Sequence, residues 1–260
     1  MDYSSEIILS FNNSMRFGEN DRLVDKSENS LSLTWFKSGF FLHVISSFLA
    51  SFFPPKSVTE SKTTLWKWRT TFAARVSAAI TGHWAILTLI NSPVLMSDLM
   101  AAFTVSAYTL ILFSLGVHFA EVLDILLNSS SPGMLMIHHL FVLICFSGAI
   151  FTNRAIGFAV LCLVTEINAV FNKTRIIHHV TSTPKESFEF RINSILNVLT
   201  FFIRILIIGW INNQCFLYTD VLPVPFLLSC AAGVGVVNLW NLSVFKVLVT
   251  KDILRKMKSS

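Results

Sequence analysis

Seven apolar runs, each of membrane-crossing length, constrain this chain more than any other feature of it. They lie at roughly 35–53, 72–90, 99–119, 134–151, 155–171, 194–212 and 221–243, and each approaches the ~20 helical residues needed to cross ~30 Å of hydrocarbon. Within a bilayer the backbone has no water to bond, so a run of this length satisfies its N–H and C=O groups as a helix. The expected fold class is all-α, a multi-pass transmembrane bundle of about seven spans. Composition points the same way. With 53% hydrophobic residues, 24 Phe and only 13% charged residues, the chain is too apolar for an ordinary soluble domain.

The bundle is expected over 35–243, between a polar, disordered N-terminal tail at 1–34 and a basic tail at 244–260. The first apolar run starts too far from Met1 for a cleaved signal peptide. Only Thr152, Asn153 and Arg154 separate the fourth and fifth runs, which predicts a tight helical hairpin. Pro223, Pro225, Gly233 and Gly235 in the last run predict a kink or a close helix contact.

Basic residues set the topology, because cytoplasmic loops hold the excess of Lys and Arg. With seven spans, twelve of them fall on one side (Lys56, Lys62, Lys67, Arg69, Lys173, Arg175, Lys185, Arg191, Lys251, Arg255, Lys256 and Lys258) and five on the other (Arg16, Arg22, Lys26, Lys37 and Arg154). The C-terminus is therefore expected in the cytosol, and the sequon Asn12-Asn13-Ser14 on the opposite side. The net charge of +5 is spread between apolar runs and forms no aromatic-interleaved patch, so nucleic acid is not an expected partner. The four cysteines, Cys145, Cys162, Cys215 and Cys230, have no CxxC spacing and read as small apolar residues. No metal and no cofactor are expected.

Ionisable groups at membrane depth are expensive and mark sites by default, although many only fix helix packing. His118, Glu121 and Asp124 recur every three residues near the end of the third run, on one helical face. His138 and His139 open the fourth run, Glu166 lies five residues before Phe171 at the end of the fifth, and Arg204 is placed within the sixth as the counter-ion of Glu166. Two readings stay open. In one, His138 or His139 is a general base, oriented by Asp124 or Glu166 and acting on a lipid or acyl thioester. In the other, His118, Glu121, Asp124, Glu166 and Arg204 form a lipid-binding or structural polar cluster. His83, His178 and His179 read as structural. No GxSxG, P-loop or HExxH occurs, so whether the chain is an enzyme stays undecided.

Trp66-Lys67-Trp68, Gly82-His83-Trp84-Ala85, Tyr108, Phe113-Ser114-Leu115-Gly116, Glu121-Val122-Leu123-Asp124, the His138-His139 pair and Glu166 together resemble, in order and spacing, the TLC (TRAM/Lag/CLN) domain. The likeness runs from about Leu65 to the last run and is to the membrane-fluidity-regulator branch of that family. The chain has Glu121 where the branch usually has Asp, and Ser77 where it has a histidine. The resemblance implies a regulator of phospholipid acyl-chain composition that limits polyunsaturated chains, with membrane phospholipids or acyl donors as partners and the plasma membrane as its place. It also implies two alternatives: an acyltransferase with the histidine pair as base, as in the sister ceramide synthases, and a sorting receptor for membrane proteins. Leu140-Phe141-Val142 after the pair departs from the longer synthase motif. Lys256 and Lys258, fifth and third from the end, have the pattern of a dilysine retrieval signal, which would place the chain in the endoplasmic reticulum. An equal reading is a basic tail drawn to anionic lipid.

Overall fold

The computed structural model describes residues 21–129, 133–215, 217 and 224–254. The described residues form helices α1 (Asp21–Ala50), α2 (Lys62–Asn91), α3 (Pro93–Ser97), α4 (Val105–Asn128), α5 (Gly133–Thr152), α6 (Ile156–Val164), α7 (Glu166–Val180), α8 (Phe188–Cys215) and α9 (Val224–Leu248), with a short 3-10 turn after α1 and a π-turn, Val249–Leu254, after α9. Among the described residues seven stretches are long and apolar enough to span a bilayer, with α6 and α7 together making the fifth. The chain is thus an all-helical, multi-pass membrane protein.

The innermost helix is α4: 67% of its apolar window is buried, more than in any other span. Its neighbour α1 approaches it backbone to backbone. A Cβ on Gly39 would run into the Phe113 carbonyl, and one on Gly116 into the Phe36 carbonyl and the Phe40 amide. With no hydrophobic force between helices in lipid, such small-residue crossings bring dispersion and backbone contacts to bear. The α2 helix packs along α1, α6 and α7, while α8 packs on α7 and α9. The indole N–H of Trp68 donates to the Ala50 carbonyl at 3.0 Å, which ties the start of α2 to the exposed end of α1. The main apolar core joins Leu110, Ile111 and Leu115 of α4 to Phe146, Ala149, Ile156, Val160 and Leu163 of α5 and α6.

Several boundaries differ from the sequence expectation. Residues 1–20 of the expected tail lie outside the described residues, and from Asp21 onward that stretch is helical, with the spanning part starting at Leu31. The third span begins at Val105, not at 99. The Asp98 carboxylate accepts from the Met100 and Ala101 amides, holding the segment in a turn, and the Thr104 hydroxyl accepts from the Ala107 amide to start the helix, as an N-cap does. This non-helical segment is covered by protein: Leu99 and Met100 are buried, and the Ala155 amide donates to the Met100 carbonyl at 2.7 Å. The predicted hairpin between the fourth and fifth runs is present, turning through Asn153 and Ala155, both with positive φ.

The fifth span continues to Val180 and is broken at Thr165, whose hydroxyl and amide both bond the Cys162 carbonyl. Glu166 therefore opens α7 rather than closing a helix. At the C-terminus, helical structure crosses the expected tail boundary at 244 and runs to Leu254, and Asp252 is held by an ion pair with Arg175 of α7. Gly233 gives the expected close contact, with Phe141 of α5 packed where a side chain would stand. Pro223, Lys256, Lys258 and the Asn12 sequon lie outside the described residues.

Candidate functional site

The polar groups converge where α4 and α5 cross. His118 and Glu121 sit one helical turn apart on α4, and His118 Nδ1 lies 3.0 Å from Glu121 Oε2. His139 of α5 brings its Nδ1 to 3.3 Å from the same oxygen and to 3.3 Å from His118 Nδ1. The three residues are 7%, 9% and 5% exposed. They form a closed triangle of two imidazoles and one carboxylate, the only such group of metal-binding side chains among the described residues. The local sequence accounts for it: an i, i+3 pair shares a helix face, and α5 presents His139 inward and Leu140 outward.

Two cavities adjoin the triangle. One, of about 160 Å³, is lined by His118, Glu121, His138, His139, Glu166, Asn168, Asn172, Lys173, Arg204 and Asn241, among others. The second, of about 80 Å³, is lined mostly by apolar groups, including Phe141, Val142, Cys145, Phe146, Leu163, Ile208 and Val234. His118, His138, Glu166, Arg204 and Val237 line both. A chamber with many polar residues in its lining thus shares a wall with a more apolar one. At the apolar end, the free thiols of Cys145 and Cys230 lie 3.5 Å apart across α5 and α9.

The expected site residues separate into three groups. His118, Glu121 and His139 meet directly. His138, Glu166 and Arg204 face the shared cavity wall, but no ion pair joins Glu166 to Arg204 among the described residues, so the expected counter-ion pairing is absent. Instead Arg204 Nη1 reaches the Thr165 carbonyl at 3.5 Å, which also accepts from the Asn168 amide, and its Nε is buried without a partner. Asp124 stands apart: its carboxylate accepts from the Trp66 indole at 3.3 Å and the Asn128 amide at 2.8 Å, and it lines neither cavity. Of the histidine pair only His139 has a carboxylate partner among the described residues, and that partner is Glu121 rather than Asp124 or Glu166. The pair itself is split, with His139 in the triangle and His138 on the cavity wall. His83 is exposed on the outer face of α2 and bonds the Ala79 carbonyl, while His178 and His179 stack near Phe190.

One histidine escaped the sequence reading. His43 of α1 is 3% exposed, and neither ring nitrogen has a hydrogen-bond partner. Glu121 and His118 are among the charged groups that act on it. Its signal was an ionisable side chain inside the first apolar run, which alone marks a candidate. Behind the cavities, Asn168 of α7 donates to the Asn197 side chain at 3.1 Å and its carbonyl at 3.2 Å, and to Thr200 at 3.1 Å, stitching α7 to α8.

The TLC domain matches residues 67–250. TLC domain-containing protein 2 of Danio rerio is 28% identical over 230 residues, covering 87% of this chain and 92% of the relative. TLC domain-containing protein 2 of Mus musculus is 28% identical over 207 residues, covering 77% of this chain and 64% of the relative. TLC domain-containing protein 1 of Gallus gallus is 28% identical over 150 residues, covering 57% and 59%. No solved structure matches the chain.

Proposed function

Because the chain belongs to the TLC-domain family, which is linked to lipid metabolism and membrane homeostasis, we propose that it regulates the acyl-chain composition of membrane phospholipids. In this reading it limits polyunsaturated chains and so lowers bilayer fluidity. One observation carries the reading: the polar and apolar cavities share a wall of His118, His138, Glu166, Arg204 and Val237. Paired chambers of opposite character suit an amphiphile, with oxygen-bearing groups at the polar end and methylenes at the apolar end. Arg204, with one buried nitrogen unpartnered, is a donor for an anionic or ester oxygen. The excess of basic residues on one side supports a cytosolic C-terminus, and the plasma membrane is the compartment the family branch suggests.

A second reading, acyl transfer, is favoured by one feature. His138 lines both cavities while His139 is engaged by Glu121 and His118. If the chain is an enzyme, His138 is the general base and His139 a positioning residue.

The test is phospholipid acyl-chain profiling of cells lacking the protein, rescued with wild-type, Val237→Trp or His138→Ala chains matched for abundance. Wild-type is expected to restore the profile and Val237→Trp, which fills the shared wall, to fail. Failure of His138→Ala as well supports acyl transfer, whereas rescue by it removes His138 as a base. An unchanged profile on loss of the protein overturns the lipid-composition reading.

A further inference from the structure

The triangle at the α4–α5 crossing has an arrangement that hydrogen bonding to an ionised carboxylate does not satisfy. Its edges are His118 Nδ1 to Glu121 Oε2 at 3.0 Å, His139 Nδ1 to Glu121 Oε2 at 3.3 Å and His118 Nδ1 to His139 Nδ1 at 3.3 Å. An ionised carboxylate oxygen only accepts, and each imidazole Nδ1 carries either a proton or a lone pair. With a proton on both nitrogens, the two edges to Glu121 are hydrogen bonds and the third sets two N–H groups against each other. With a proton on one, the other nitrogen sets its lone pair against that of Glu121. With Glu121 ionised, no assignment of protons satisfies all three edges at once; without a cation, only a protonated carboxyl that donates to one Nδ1 and accepts from the other does so.

A cation at the centre satisfies them together. Zinc bonds imidazole nitrogen and carboxylate oxygen at about 2.0–2.1 Å in tetrahedral geometry, which places neighbouring ligand atoms about 3.3 Å apart. The observed edges match that spacing with no movement of the helices. We propose that His118, Glu121 and His139 bind a divalent first-row transition metal, zinc in the first instance, through His118 Nδ1, Glu121 Oε2 and His139 Nδ1. Two imidazoles and one carboxylate are the protein ligands of open zinc sites that keep a fourth position for water or substrate. Here the fourth position opens on the polar cavity, whose volume of about 160 Å³ far exceeds the ~10–15 Å³ one water requires.

Sequence spacing hid this site because its third ligand comes from a different helix. His118-x-x-Glu121 supplies two ligands on one face, as i, i+3 pairs do in helical-bundle metal sites, and His139 completes the set only after α4 and α5 pack. The inference does not depend on the lipid reading, since metal content is measured with no lipid readout.

The experiment uses the full chain purified in detergent, stripped with chelator, re-equilibrated with zinc chloride in metal-free buffer, gel-filtered and analysed by plasma mass spectrometry. Wild-type is expected to retain one zinc per chain, and His83→Ala, at the exposed histidine on the outer face of α2, to retain the same. Glu121→Gln and His139→Ala are expected to bind at least about tenfold more weakly. Gel-filtration profiles and circular dichroism report whether each variant is folded. Should Glu121→Gln fail to fold, the wild-type chain alone decides: chelator must lower its unfolding temperature and zinc must restore it. A wild-type chain that takes up no zinc overturns the site. Equal zinc binding by folded Glu121→Gln, or equal loss in His83→Ala, does so too.

Discussion

The α4 and α9 helices stand on opposite sides of the same cavities and are held in place by different means. In α4, 67% of the apolar window is buried, against 22% in α9. The first is locked by the Gly39 and Gly116 crossing, where backbones touch. The second presents Leu228, Leu239, Trp240, Leu242 and Val247 outward, and its inward amides, Asn238 Oδ1 and Asn241 Nδ2, lack partners. The triangle belongs to the locked wall, which gives its ligands fixed positions. The other wall supplies apolar lining and unspent hydrogen-bonding capacity, which suits contact with molecules that come and go. The difference teaches that in this bundle close packing and polar precision occur together on α4, while α9 faces lipid.

The contrast is broken most directly at the glycines. Gly116→Ala is expected to cost about 3 kcal/mol, because the added methyl meets the Phe36 carbonyl and backbone cannot move aside cheaply; thermal unfolding of the detergent-purified chain measures it. A mild effect would mean α1 and α4 are less tightly locked than their geometry says. Glu121→Ala is next, at about 2 kcal/mol, since it leaves two buried imidazoles facing each other without their common partner; the same melt reads it. Asn168→Ala, which removes the stitch between α7 and α8, is expected to cost about 1 kcal/mol, the scale of interhelical hydrogen bonds in bilayers. The smallest effect belongs to α9. Gly235→Ala places a methyl no closer than 4.0 Å to Asn212 Oδ1 and is expected to be neutral or to stabilise by up to about 1 kcal/mol through helix propensity. Equal losses at Gly116 and Gly235 would erase the distinction between the walls.

The seven spans were legible because each carries its own apolar signal, and the 134–151 run coincides closely with α5 (Gly133–Thr152). Helix ends were less so: polar turns at Lys62–Thr71 and Asn172–Val180 are helical because neighbouring helices support them, which hydropathy does not register. The break at Thr165 has neither Pro nor Gly to announce it; a threonine hydroxyl and an amide sharing one carbonyl make it. The His118–Glu121 pair followed from spacing. Asp124 did not join them because steps of three drift on a 3.6-residue helix, and six residues carry a side chain about 120° round from His118. Nor does spacing distinguish His138 from His139, since adjacent residues point apart and only the direction of α5 decides which turns inward.

The glycine crossing also dictates an order of events during synthesis. The α1 span leaves the ribosome before α4 and has the lowest mean hydropathy of the seven described spans, 1.2, and α4, to which Gly39 is matched, follows only after the whole of α2 has been made. Until then Gly39 faces lipid or translocon with its groove unfilled. A chain halted before Asn128 therefore carries α1 without the complete helix to which Gly39 is matched. The backbone contact between α1 and α4 thus closes only after α2, made between them, is in place.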